Sequence, residues 1–187
     1  GFGLDSLDAL KEILKDQLDA ELGTLSRTYL KRKLLDTLAA RHDFDVPESM
    51  VDAEFEQIWQ TLEGEAAREA DPEAARAEIE AEREDYRRIA VRRVRLGLLL
   101  AEVGRKANVE VSDSEFTQAV LNQARQYPGQ ERQFFEFVQQ NQQMQQQLRA
   151  PIFEEKVVDH ILEQAKVTEK EVSKDDLQKA IEALDEE

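Results

Sequence analysis

The side chains able to do acid–base or metal chemistry are the two histidines and the forty-one carboxylates. A di-iron helical bundle needs Glu-x-x-His motifs on facing helices. Neither His42 nor His160 has a glutamate three residues before it, and neither belongs to an HExxH or HxxxH arrangement. His42 falls at a predicted helix end, where an imidazole faces carbonyls or water. His160 falls in "VVDHIL" on a charged helix and reads as a surface residue. Carboxylate pairs at i, i+3 or i+4 in "EFEQIW", "EIEAERED" and "FEEKVVDHILEQ" read as solvated faces and ion-pair partners. The chain has no cysteine, which removes disulfides, thiolate nucleophiles and Cys-based metal sites. Phosphate-cradling glycine loops, the nucleophile elbow and the EF-hand loop are also missing from the sequence. No catalytic, cofactor-binding or metal-ligating residue is assigned, and no cofactor is expected.

Two other groups remain. The arginines Arg87, Arg88, Arg92, Arg93 and Arg95 could contact phosphate, but the acidic run before them favours salt bridging along and between helices, with Glu84–Arg88 as one such pair. The second group is apolar. "FFEFVQQNQQMQQQLRAPIFEEKVVDHIL" places Phe134, Phe135, Phe137, Val138, Met144, Leu148 and Phe153 around a glutamine-rich centre. Three phenylalanines within four positions cannot share one side of a helix, so at least one is expected to be exposed or covered by a neighbouring arm. Met144 and Leu148 are four apart, and Phe153, Val157 and Ile161 continue at that spacing. The stretch is therefore read as helix rather than as a disordered or prion-like tract. Trp59 and Phe55 are read as core.

These groups sit on a chain that is nearly all helix. Its 187 residues contain four prolines and seven glycines, and the dominant residues are good helix formers. Apolar residues make up 41%, enough for a core, and charged residues make up 35% with a net charge of −16. Such acidity disfavours nucleic acid, and "LGLLLAEV" is far too short to span a bilayer. A first long helix is expected at about 5–41. Helical arm and body segments follow at about 47–106, with one long helix from Glu73 to about Lys106. A second arm is expected at about 112–166 and a C-terminal helix at about 173–185. Capping-box spacing occurs at Asp45/Glu48, Ser112/Glu115, Thr168/Glu171 and Ser173/Asp176, and Asp71-Pro72 restarts a helix. Gly97 either permits close helix contact or costs helix propensity. The predicted fold is all-α: an elongated multi-helix domain with long helices forming a body and projecting, arm-like helical hairpins. Helices of about 35 residues would be rods of about 50 Å.

The stretches "FDVPESMVDAEFEQIW", "RRVRLGLLLAEVGRKANVEVSDSEF" and "FFEFVQQNQQMQQQLRAPIFEEKVVDHILEQAKVTEKEVS", with the leucine-spaced first helix, resemble the C-terminal domain of bacterial trigger factor, a ribosome-associated chaperone family. The resemblance covers almost all of the chain. It implies a domain spanning 1–187 with a body and two arms, whose concave side cradles nascent or unfolded polypeptide without ATP. It also implies a ribosome-docking N-terminal domain and a peptidyl-prolyl isomerase domain in the whole protein. Neither is expected in this chain, which is read as a non-enzymatic fragment. "GFGLDSLDALKE" lacks an initiator methionine and looks like the seam where the isomerase domain was left out. The implied location is the cytoplasm, and trigger-factor-like proteins can form homodimers. Phe134, Phe135, Phe137, Val138, Met144, Leu148 and Phe153 are the candidate client-binding surface. The acidic surface would favour basic clients in a salt-dependent way. The rival readings are a periplasmic folding-factor module and a non-catalytic helical scaffold. No nucleic-acid or membrane partner is expected.

Overall fold

The computed structural model describes residues 7–184, with the side chain of Leu7 left out. Residues 1–6 of the predicted seam "GFGLDSLDALKE" and residues 185–187 lie outside the described residues. Eight helices and no strand occur among the described residues: α1 (Leu7–Arg41), α2 (Glu48–Ala66), α3 (Pro72–Ala81), α4 (Arg83–Lys106), α5 (Asp113–Ala124), α6 (Glu131–Gln140), α7 (Gln142–Gln164) and α8 (Lys174–Ala183). They fall into two compact units, residues 1–43 with 168–187, and residues 44–167.

The first unit pairs α1 with α8. Ser173 caps α8 by accepting from the Asp176 amide at 3.1 Å. Lys174 meets Glu21 at 2.5 Å, and Arg32 donates to the Ile181 carbonyl at 3.3 Å. Residue numbers rise together on both helices, so α8 runs parallel to α1 along its second half. Leu177 is buried. Earlier on α1, before Glu21, Ile13, Leu14 and Leu18 are exposed at 42%, 50% and 54%.

The second unit is built on an antiparallel pair, α2 against α4. Val51, Phe55 and Trp59 pack on Ala90 and Val94. Ion pairs run across the edge, Arg87 with Asp52 at 2.9 Å and Arg93 with Glu54 at 3.1 Å, while Arg95 donates to the Phe44 carbonyl at 3.0 Å. The arginine cluster thus contributes to helix pairing. Arg88 takes Asp85 as its ion-pair partner rather than the expected Glu84. Met50 on α2 and Ile89 on α4 are 42% and 41% exposed.

The expected single helix from Glu73 to Lys106 is interrupted at Glu82, whose φ of −97° and ψ of 10° leave the helical region. No glycine or proline causes this. Arg83 lies over the rings of Phe55 (5.1 Å) and Trp59 (4.4 Å), Ile79 packs on the core, and the Tyr86 hydroxyl donates to Glu82. Packing of α3 onto α2 overrides local propensity. Two predicted caps also differ. Pro47, in extended conformation, is itself the N-cap of α2, so Asp45 stands two residues too early. The Thr168/Glu171 pair starts no helix. Residues 166–173 are exposed, and a single unpacked turn is not stable alone. At Asp71 and Ser112 the caps form as expected, the latter as a full capping box.

Helix α4 joins α7 at a glycine. A Cβ on Gly104 would lie 2.3 Å from Phe153 Cζ and 2.7 Å from Val157 Cγ2. The same residue anchors the helix end: Asn108 turns left-handed (φ 52°) and the Val109 amide returns to the Gly104 carbonyl at 2.9 Å. Gly97 has nothing within 4 Å of its Cβ position, so it makes no close contact. Helix α5 joins α7 through charge. Lys156 Nζ donates to both Glu115 oxygens at 2.8 and 2.9 Å, and the same carboxylate closes the Ser112 box. The Lys156 bond, aided by Ser112, holds the Glu115 carboxyl down at about 2 against an ordinary 4.5.

Two outcomes follow from these junctions. Gly104→Ala should cost about 1–3 kcal/mol by overpacking, whereas Gly97→Ala should stabilise by about 0.5–1 kcal/mol; urea unfolding followed by circular dichroism checks both. Lys156→Met should lower the thermal midpoint at neutral pH. Because the folded pKa of Glu115 is depressed, the bond contributes fully above pH 4.5 and fades as pH falls through about 2. The gap between wild type and Lys156→Met should therefore narrow with acidification; a constant gap would show that this pair does not join the helices.

Candidate functional site

The seven apolar residues singled out in the sequence lie on α6 and α7, and the fold separates them. Tyr127, Pro128, Gly129 and Gln130 form the turn into α6, with the Gln130 amide bonded to the Tyr127 carbonyl at 3.0 Å and Gly129 at φ 81°. That positive φ after a proline is the type II pattern, which only glycine adopts at no steric cost. The turn brings Tyr127 onto Phe134, ring centroids 5.2 Å apart and nearly parallel. Phe135 and Val138 point the other way and line a cleft of ≈ 220 Å³ with Phe116 and Val120 of α5. Val138 is 1% exposed, so it belongs to the core of this unit rather than to an open surface. Phe137 is 50% exposed and Phe134 half-buried.

Asn141 breaks the chain between α6 and α7 and caps α7, accepting from the Met144 amide at 3.0 Å. Gln145 folds back across the break and donates to the carbonyls of Val138 and Gln139 at 3.1 and 2.9 Å, satisfying the end of α6. Met144 and Leu148 are half-buried, and Phe153 is committed to Gly104. Pro151 sits inside α7 on an exposed side, where the carbonyl it leaves unpaired can face water. Arg149 spans the helices, stacked 4.2 Å over Phe116 and bonded to the Val111 carbonyl and Asp113.

On α5, α6 and the turn between them, the exposed large apolar side chains are Leu121 (46%), Tyr127 (46%) and Phe137 (50%). Tyr127 and Leu121 were not among the candidates from sequence. Tyr127 lies in "QYPGQ", where Pro-Gly specifies a turn but not where the neighbouring ring packs. Each histidine has a partner close by in sequence. His42 Nδ1 lies 2.9 Å from the Leu38 carbonyl at the end of α1, and His160 Nε2 lies 2.8 Å from Gln164. No described helix is long and apolar enough to cross a membrane.

The family model for the bacterial trigger factor protein C-terminus matches residues 6–163. The chain is 63% identical to the trigger factor of Ruegeria pomeroyi over 98% of its own length and 41% of that protein's. It is 56% identical to that of Sphingopyxis alaskensis, over 98% of the chain and 34% of the relative. With the trigger factor of Roseobacter denitrificans the identity is 57%, over 100% and 42%. The chain spans about two fifths or less of these relatives. It belongs to the bacterial trigger factor C-terminal family.

Proposed function

We propose that this chain is the client-holding part of an ATP-independent chaperone, and that its holding surface is the exposed apolar area at the α5–α6 turn. The observation that carries the reading is Phe137, half exposed on a helix whose next residue, Val138, is fully buried. The fold has room to bury apolar side chains there and leaves this ring in solvent, beside Phe134 stacked on Tyr127. A cluster of exposed rings on a chain otherwise rich in charge marks an interaction surface. Membership of the trigger factor family supports an unfolded polypeptide as the partner, since relatives named trigger factor match 98% to 100% of the chain.

Holding by such a surface is passive. Apolar segments of an unfolded polypeptide bind through a few weak contacts and leave as the client buries its own apolar surface. Nothing in this cycle calls for a nucleotide or a metal. Peptidyl-prolyl isomerase activity and ribosome docking belong, in this reading, to other parts of the intact protein, which works in the cytoplasm on nascent chains. An N-terminal secretion signal on the intact gene product would instead support the periplasmic alternative.

The chain alone should suppress aggregation of a chemically unfolded protein diluted from denaturant, measured by light scattering. No suppression at several-fold excess would leave only the scaffold reading. Phe137→Ala should weaken client binding roughly tenfold while changing folding stability by no more than about 0.5 kcal/mol, since the ring is at the surface.

A further inference from the structure

From Gln133 to Leu148 the sequence carries one charged residue, Glu136, in a chain that is 35% charged. Glu136 is paired with Arg132 at 2.9 Å. Seven glutamines lie between positions 139 and 147. Gln145 is the one that donates to the end of α6, and the six others are exposed. Gln140 follows Phe137 by three residues on α6, and Gln143 and Gln147 stand four apart on α7, so each neighbours the next along its helix face. Good helix propensity explains glutamine only in part, because arginine and glutamate serve as well and outnumber glutamine elsewhere in the chain.

We propose that the exposed glutamines of α6, beside Phe137, and of α7 bind the backbone of unfolded polypeptide, so that uncharged client segments are held irrespective of salt. The proposal rests on the client-holding reading and names the chemistry of the segment held. An unfolded chain presents peptide N–H and C=O groups that have no internal partners. A glutamine amide offers both a donor pair and an acceptor, so it serves either group. It does so without the desolvation penalty of a charged side chain, and without selecting a client by sign. The rest of the surface is acidic, with a net charge of −16, and repels acidic clients while attracting basic ones. The glutamine face is where an uncharged segment meets neither effect. A second copy of the chain is a poorer occupant, because two molecules of that net charge repel each other.

The test uses the whole chain and three fluorescent peptides that share their apolar residues and carry glutamine, lysine or glutamate at the polar positions. Binding is read by anisotropy at low and high salt. The glutamine peptide should bind wild type with an affinity that salt does not change. The triple variant Gln140→Ala/Gln143→Ala/Gln147→Ala, which keeps or raises helix propensity, should bind it roughly tenfold more weakly. It should retain the salt-dependent part of its affinity for the lysine peptide. Unchanged binding of the glutamine peptide by the triple variant overturns the amide proposal and leaves client holding intact. Failure of wild type to bind any of the three overturns client holding as well. Sedimentation showing a dimer of wild type that the triple variant lacks would assign the face to self-association and overturn the proposal.

Discussion

Phe153 and Val157 of α7 reach α4 because position 104 has no side chain. This contact connects the pair α2–α4 to the helices that follow. The same glycine carbonyl receives the Val109 amide, so close packing and termination of α4 are fixed within one turn. From there the chain leaves through the left-handed Asn108 and enters α5 at the Ser112 box. Glu115, the far half of that box, then takes Lys156 of α7 one turn beyond Phe153. Apolar contact and ion pair therefore act on adjacent turns of one helix. Together they set where α5 and α6 stand, and so where the Tyr127 turn presents its ring.

The distribution of charge complements this packing. Arginine on α4 is used against carboxylates of α2 and over aromatic rings, where a planar cation can pair and stack at once. Along α6 and the start of α7, where no such pairing is needed, charge nearly disappears from the sequence. Helical stability there comes from caps at Asn141 and from Gln145 folding over the preceding carbonyls. A helix supported in this way can leave its outer face uncharged without fraying.

Much of the architecture was legible because helix ends carry their own chemistry. Asp71-Pro72 and Ser112/Glu115 state their role in the side chains themselves. The break at Glu82 does not, since it is made by Arg83 resting on two rings some twenty-five residues earlier in sequence. Asp45 misled because spacing alone cannot show that Pro47 would occupy the cap. At the candidate surface, crowding of Phe134, Phe135 and Phe137 required that one ring turn outward. Which one, and that Val138 beside it would be sealed, depended on where α5 lies. Tyr127 was hidden for a similar reason: a tight turn brings its ring to Phe134 across six intervening residues.

The parallel pairing of α8 with α1 gives the chain an order in time. One compact unit takes residues from both ends of the sequence, while the other is continuous from 44 to 167. During synthesis from the N-terminus, α1 emerges long before the segment that covers its second half. The continuous unit has all its partners by the time Val167 is made, whereas the unit containing Leu177 must close a loop of well over a hundred residues. Loop closure of that length costs little more than a shorter one in equilibrium terms but delays the event. The stretch of α1 that α8 packs on therefore stays open until the last helix arrives.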